Sequence, residues 1–127
     1  MAIMVWVDSW QMQCCGQPFC LGSQIAWTLR PADPDWIAGI LGSDAPQNVE
    51  AAEDHHGGVP RDTVPTRGTV REIAAVHCRF APKPGSKSAT VYPVPGTGFL
   101  TEVGSADGWT EDHGEERFIG YLVQLEL

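Results

Sequence analysis

Proline constrains the fold of this chain more than any other residue type. The sequence is 127 residues long and holds ten prolines. Proline gives a ladder no N–H and locks φ, so it falls between elements or on their edges. Pro18, Pro31, Pro46, Pro60, Pro65, Pro82, Pro84, Pro93 and Pro95 leave short runs between them, and only Pro34 sits where a helix can begin. The short runs carry a period of two. Residues 24–30 set Ile25, Trp27 and Leu29 on one face. Residues 68–80 set Val70, Ala74, Val76, Cys78 and Phe80 against Arg71, Ile73, Ala75, His77 and Arg79. Residues 118–127 turn Ile119, Tyr121, Val123, Leu125 and Leu127 inward. Shorter strands are expected at 48–54, 90–92 and 98–103.

One helix is expected, over residues 33–42. Asp33 suits its N-cap, Pro34 its first turn, Asp35 the positive end of its dipole and Gly42 the residue past its end. The reading is one mainly β domain over residues 1–127: a small antiparallel barrel or strongly bent sheet, SH3-like or OB-like, with one short α-helix.

Residues 6–16 are the densest in reactive side chains. Alternation carried on from the apolar strand 3–7 places Trp6, Asp8, Trp10, Met12 and Cys14 on one face and Cys15 on the other. Two indoles around a carboxylate make a ligand-site recipe, so Trp6, Asp8 and Trp10 are candidate binding residues, with Trp109 on a polar loop as a fourth. Trp27 and Trp36 read as core. Cys14 and Cys15 with His55 and His56 are the residue types zinc selects, but no C-x-x-C or H-x-x-x-H spacing is present. Neighbours on a strand point oppositely, so each pair would supply one ligand, with help from Asp8 or Asp54. The plainer reading buries a cysteine as a small hydrophobe and leaves the histidines on a solvated loop. Cys78 reads as core, His77 as solvated, His113 as surface, and Cys20 as a turn residue.

The net charge is −8, which argues against a nucleic-acid partner, since phosphate binding rests on clustered Lys and Arg. Six of the eight basic residues lie between Arg61 and Lys87, and an acidic stretch follows at 102–116; the two segments are expected to be neighbours. No apolar run is long enough to span a membrane, and the start lacks the basic region of a secretory signal. A cytoplasmic protein with reduced thiols is therefore expected.

Residues 6–16, Asp54-His55-His56-Gly57, Gly68-Thr69-Val70, Ala106-Asp107-Gly108-Trp109 and Gly120-Tyr121-Leu122-Val123 resemble an uncharacterised actinobacterial family of small proteins of unknown function. The resemblance covers nearly the whole chain. It implies a stand-alone intracellular bacterial protein and no particular activity. The expectation is a non-enzymatic binding or accessory module without a cofactor, recognising a protein or small ligand. One alternative is a zinc-binding protein or zinc-dependent hydrolase using Cys14 or Cys15 with His55 or His56. A second is a thiol-based enzyme or redox sensor.

Overall fold

Val5 and Val7 point one way and Trp6 the other, so the first strand, β1 (Ala2–Asp8), is apolar on both faces. The computed structural model, which describes residues 1–46, 48–55, 57 and 59–127, sets this strand in the middle of the sheet. It pairs antiparallel with β10 (Glu116–Glu126) and parallel with β5 (Val49–Glu53). In chain order the elements are β1, α1 (Ser9–Cys15), β2 (Phe19–Cys20), β3 (Gln24–Trp27), β4 (Leu29–Pro31), α2 (Pro34–Leu41), β5, β6 (Thr66–Ala81), β7 (Tyr92–Pro93), β8 (Phe99–Glu102), β9 (Ser105–Ala106) and β10. Among the described residues, no helix is long and apolar enough to cross a membrane.

The main sheet runs β3-β6-β10-β1-β5-β4, with β7 and β8 added to β6. Its two ends, β3 and β4, are one stretch of chain bent at Thr28. The first half pairs with β6 and the second with β5, so the bend nearly closes the sheet into a barrel. The Asp54 N–H bonds the Thr28 carbonyl at 2.9 Å and holds the bend against β5. Counted along the chain from β6 and continued from β10 to β1, the strands are β6, β10, β1, the bent β3/β4 and β5. The first pairs with the second and fourth, and the third runs parallel to the fifth. That is the pairing order of an OB-type Greek-key barrel with its chain ends relocated. The relocated ends meet at the β1/β10 seam, where the Leu127 N–H bonds the Met1 carbonyl at 2.8 Å.

Two apolar clusters hold the barrel. The interior joins Val5, Val7, Val70, Ile73, Ala75, Tyr121, Val123 and Leu125, closed below by Met12 of α1 and by Phe19. The second lies outside the wall, where Ile37, Ile40 and Leu41 of α2 cover Trp6, Leu122, Val76 and Cys78. Helix α2 follows its sequence signals: Asp33 accepts from the Trp36 N–H at 3.1 Å, Pro34 opens the helix, and Gly42 ends it at φ 59°.

The structure corrects four sequence readings. The first strand stops at Asp8, and residues 9–15 form a second helix, α1, which turns Gln11 and Met12 inward and Trp10 outward. Trp36 is 40% exposed, its ring edge-on to Trp6 at 5.4 Å, and so caps the outer cluster from the solvent side instead of lying in it. His77 is buried because β6 is covered there by Phe99, Phe118 and His113. Val70 and Ile119 also change sides. The β6/β10 register shifts between Phe118 and Gly120 and again between Gln124 and Leu125, which moves Val70 into the interior with Ile73 and places Ile119 by the outer cluster. The expected neighbourhood of basic and acidic segments shows in the exposed Arg79–Glu115 pair at 3.2 Å.

Candidate functional site

Where α1 meets the open side of the bent strand, the barrel end holds a cavity of about 520 Å³. One bank is a run of five residues, from Cys15 to Phe19; the other is Ser23 to Trp27; Val7, Met12, Glu53 and His55 complete the lining. Phe19 and Trp27 meet edge-to-face at 5.0 Å, and Phe19 continues to Tyr121 at 6.2 Å, so the apolar end runs into the core.

The polar end is built by strand parity. Ala51, Glu53 and His55 share the inward side of β5 and its extension, which carries Glu53 into the barrel with 6% of its surface exposed. His55 Nδ1 lies 2.8 and 3.0 Å from the two Glu53 carboxylate oxygens. His55 Nε2 lies 3.2 Å from the Gln11 carbonyl oxygen, and the His55 backbone N–H donates to Gln11 Oε1 at 3.1 Å. Gln11, only 1% exposed, is thus clasped twice by one residue, which ties α1 to β5. Both ring nitrogens face oxygens. Each ring nitrogen is thus engaged by a neighbour within the chain.

Of the four residues expected to hold a metal, the structure brings Cys15 and His55 to one cavity. Cys14 is exposed and does not line it, and His56 lies outside the described residues. Among the described residues, no group of three His, Cys, Asp or Glu is arranged to hold a metal ion. The Cys15 thiol is pushed above the usual cysteine value, chiefly by desolvation, then by its hydrogen bond with Cys14 and by negative charge on Cys14 and Glu53. Catalytic thiols are tuned the other way.

The four residues expected to bind ligand are split. Trp6 and Asp8 line a smaller crevice of about 270 Å³ with Arg30, Asp33, Trp36, Ile37 and Ala52. There the Trp6 indole N–H donates to Asp8 Oδ1 at 2.8 Å, and Arg30 lies 4.0 Å from Asp8 and 3.4 Å from Asp54. Asp8 therefore has the indole and arginine partners that a part-buried carboxylate requires. Trp10 and Trp109 stand elsewhere, 55% and 65% exposed. The Trp109 loop is fixed although its indole is not. Gln13 Nε2 donates to the Gly108 carbonyl at 2.9 Å, the Gly108 N–H donates to the Tyr121 hydroxyl at 3.2 Å, and Thr110 Oγ1 lies 2.6 Å from that hydroxyl.

Glu53, Gln11 and Trp27 are the site residues that sequence reasoning passed over. A signal existed for Glu53, which alternates with Ala51 and His55. The adjacent pair Ala51-Ala52 left the buried face of that strand unmarked.

The chain belongs to DUF6578, a family of unknown function, whose model matches residues 1–127, the whole sequence. No curated protein and no solved structure matches it.

Proposed function

We propose that the protein is a non-enzymatic binding module that holds its ligand in the trough at the barrel end. One observation carries the reading: an almost fully buried carboxylate, Glu53, lines a cavity of about 520 Å³ beside apolar Phe19, Ile25 and Trp27 and polar Gln17, Ser23 and Gln24. The volume falls in the range of roughly 300–1,000 Å³ typical of ligand pockets. Glu53 is buried while its partner His55 is exposed, and a carboxylate held this way carries a desolvation cost that packing alone does not require. Its presence beside open space fits recognition better than packing.

Two further features support a ligand other than nucleic acid. The net charge is −8, and among the described residues the trough lining contains no Lys or Arg. OB barrels bind oligonucleotides on the face of their second and third strands. The corresponding strands here are β10 and β1, and their outward Leu122 and Trp6 are packed with α2.

A fragment screen read by ¹H–¹⁵N correlation spectra tests the proposal. Hits should shift amides of residues 15–19, 23–27, 53 and 55 together. A library whose hits all map to the Trp6/Asp8/Arg30 crevice or to Trp109, or which gives none, overturns it.

A further inference from the structure

The lining of the trough shows which part of β3 borders it. Ser23, Gln24, Ile25, Ala26 and Trp27 are consecutive and of both parities. A strand that presents a face contributes alternate residues, and one that presents an edge contributes all of them. The trough therefore runs along a strand edge. Among the described residues, β3 pairs with β6 alone.

The register identifies the groups on that edge. The Val70 N–H donates to the Ser23 carbonyl at 2.8 Å, and the β3/β6 pairing continues without a shift from Gln24↔Thr69 to Trp27↔Thr66. Hydrogen-bonded pairs alternate in an antiparallel ladder, so they fall on Ile25↔Gly68 and Trp27↔Thr66. Gln24 and Ala26 then direct their N–H and C=O groups away from β6, to the side that borders the trough. Two donors and two acceptors at ladder spacing, along an edge of about 13 Å, match an extended backbone. The side chains of such a segment would meet Trp27 and Phe19 at one end and Glu53 at the other. The acidic chain and a lining without Lys or Arg favour a cationic occupant.

We propose that the unpaired edge of β3 is a strand-addition site, at which Gln24 and Ala26 pair with an extended, basic peptide segment of a partner protein lying in the trough. This rests on the trough being the binding site and adds the kind of ligand and the atoms that hold it.

The test uses two libraries of end-capped linear heptapeptides, one with Lys at the central position and one with Glu there. Binders should come from the Lys library, and hydrogen exchange at the Gln24 and Ala26 amides should slow when they bind. N-methylation of alternate amides in the best binder should weaken it about tenfold or more in one parity and leave the other parity unchanged, since only one set of N–H groups faces the protein. Ala26→Pro removes an edge N–H while the β6 bonds at Ile25 and Trp27 remain, and edge strands tolerate proline. It should cost a similar factor in affinity with the circular dichroism spectrum unchanged. The methylated peptides keep the test decisive if that variant fails to fold.

Equal loss in both parities, or equally tight binders from the Glu library, overturns the proposal. So does a dimer by light scattering that Ala26→Pro separates, because a second copy of the chain would then occupy the edge. Peptides that shift the trough amides but ignore backbone methylation remove strand addition and leave the trough reading standing. Libraries without a binder, together with fragments that bind elsewhere, remove both.

Discussion

Gly120→Ala tests the seam on which the barrel depends. An added Cβ at Gly120 would lie 2.5 Å from the Val7 carbonyl oxygen and 2.7 and 2.8 Å from two ring carbons of Trp6. Neither neighbour is free to move. The Val7 carbonyl belongs to the β1 backbone, paired on one side with β10 and on the other with β5. The Trp6 ring is 5% exposed, tied by its N–H to Asp8 and edge-on to Trp36. Ordinary contact needs close to 1 Å more room, which must come from spreading β1 and β10. Overpacking of this kind costs about 1–3 kcal/mol, and the absence of a flexible side chain among the contacts places this case at about 2–3 kcal/mol. With an unfolding entropy of about 2.1 cal/mol/K per residue, each kcal/mol shifts the midpoint of a chain this long by about 4 °C, so thermal unfolding should fall by about 8–12 °C. Gly104→Ala is the control, because an added methyl there meets nothing within 4 Å, and it should stay within about 0.5 kcal/mol. A Gly120→Ala midpoint within 2 °C of the parent, with an unchanged urea m-value, would show that the seam yields easily and would refute the reasoning.

Three further outcomes follow from single contacts. Asp33→Ala removes the side-chain bond to the Trp36 N–H and should cost about 1 kcal/mol in urea unfolding, whereas Asp33→Asn should cost a few tenths. With its thiol raised by desolvation, Cys14 and Glu53, Cys15 should react with iodoacetamide more slowly than a free cysteine at pH 7; Cys78, raised to about 11 by burial, should react only on unfolding. Rapid Cys15 labelling below pH 7, mapped by mass spectrometry, would restore the thiol-enzyme reading. Glu126 titrates below its ordinary range because it bonds the Met1 ammonium, with Arg71 adding a smaller pull. A depressed carboxylate contributes stability that is present above its unfolded value, about 4.3, and is lost as pH falls through the lower folded value. Acetylating the N-terminus should therefore raise the Glu126 pKa in an NMR titration and remove that contribution; an unmoved Glu126 would show the pair to be solvent-separated.

The β character and the α2 caps were legible because they rest on local rules. Alternation, proline placement and the Asp33-Pro34…Gly42 pattern all act within a few residues. Parity was legible only as far as the first bulge. Val70 reads with Val76 and Cys78 by strict alternation, yet the extra residue in β6 near Arg71 returns it to the side of Ile73 and Ala75. The run from Ser9 to Cys15 failed differently. Its alternating Trp10, Met12 and Cys14 imitate a strand, while the helical pairing of Gln11, Met12 and Cys15 rests on a buried glutamine that no hydrophobic pattern marks. What fixes Gln11 is His55, forty-four residues away.

The site was legible as chemistry but not as geometry, and the bend at Thr28 explains the difference. A straight strand over residues 24–31 would pair along its length with one neighbour and leave the barrel open as a sheet. Bending at Thr28 gives its second half to β5 and its first half to β6, and the sheet nearly closes. The same bend pulls Ser23–Trp27 away from the end of β5, where Glu53 and His55 emerge. Closure of the barrel and opening of the trough are thus one structural event. Side chains from positions near 15, 25 and 54 meet there because a parallel strand returns beside β1, a pairing with no local signature. The reactive residue types of the first sixteen positions pointed toward this end of the molecule. The residue that singles it out as the candidate site is the buried Glu53, set on the inward face of a strand whose own sequence, Val-Glu-Ala-Ala-Glu, leaves that face unmarked.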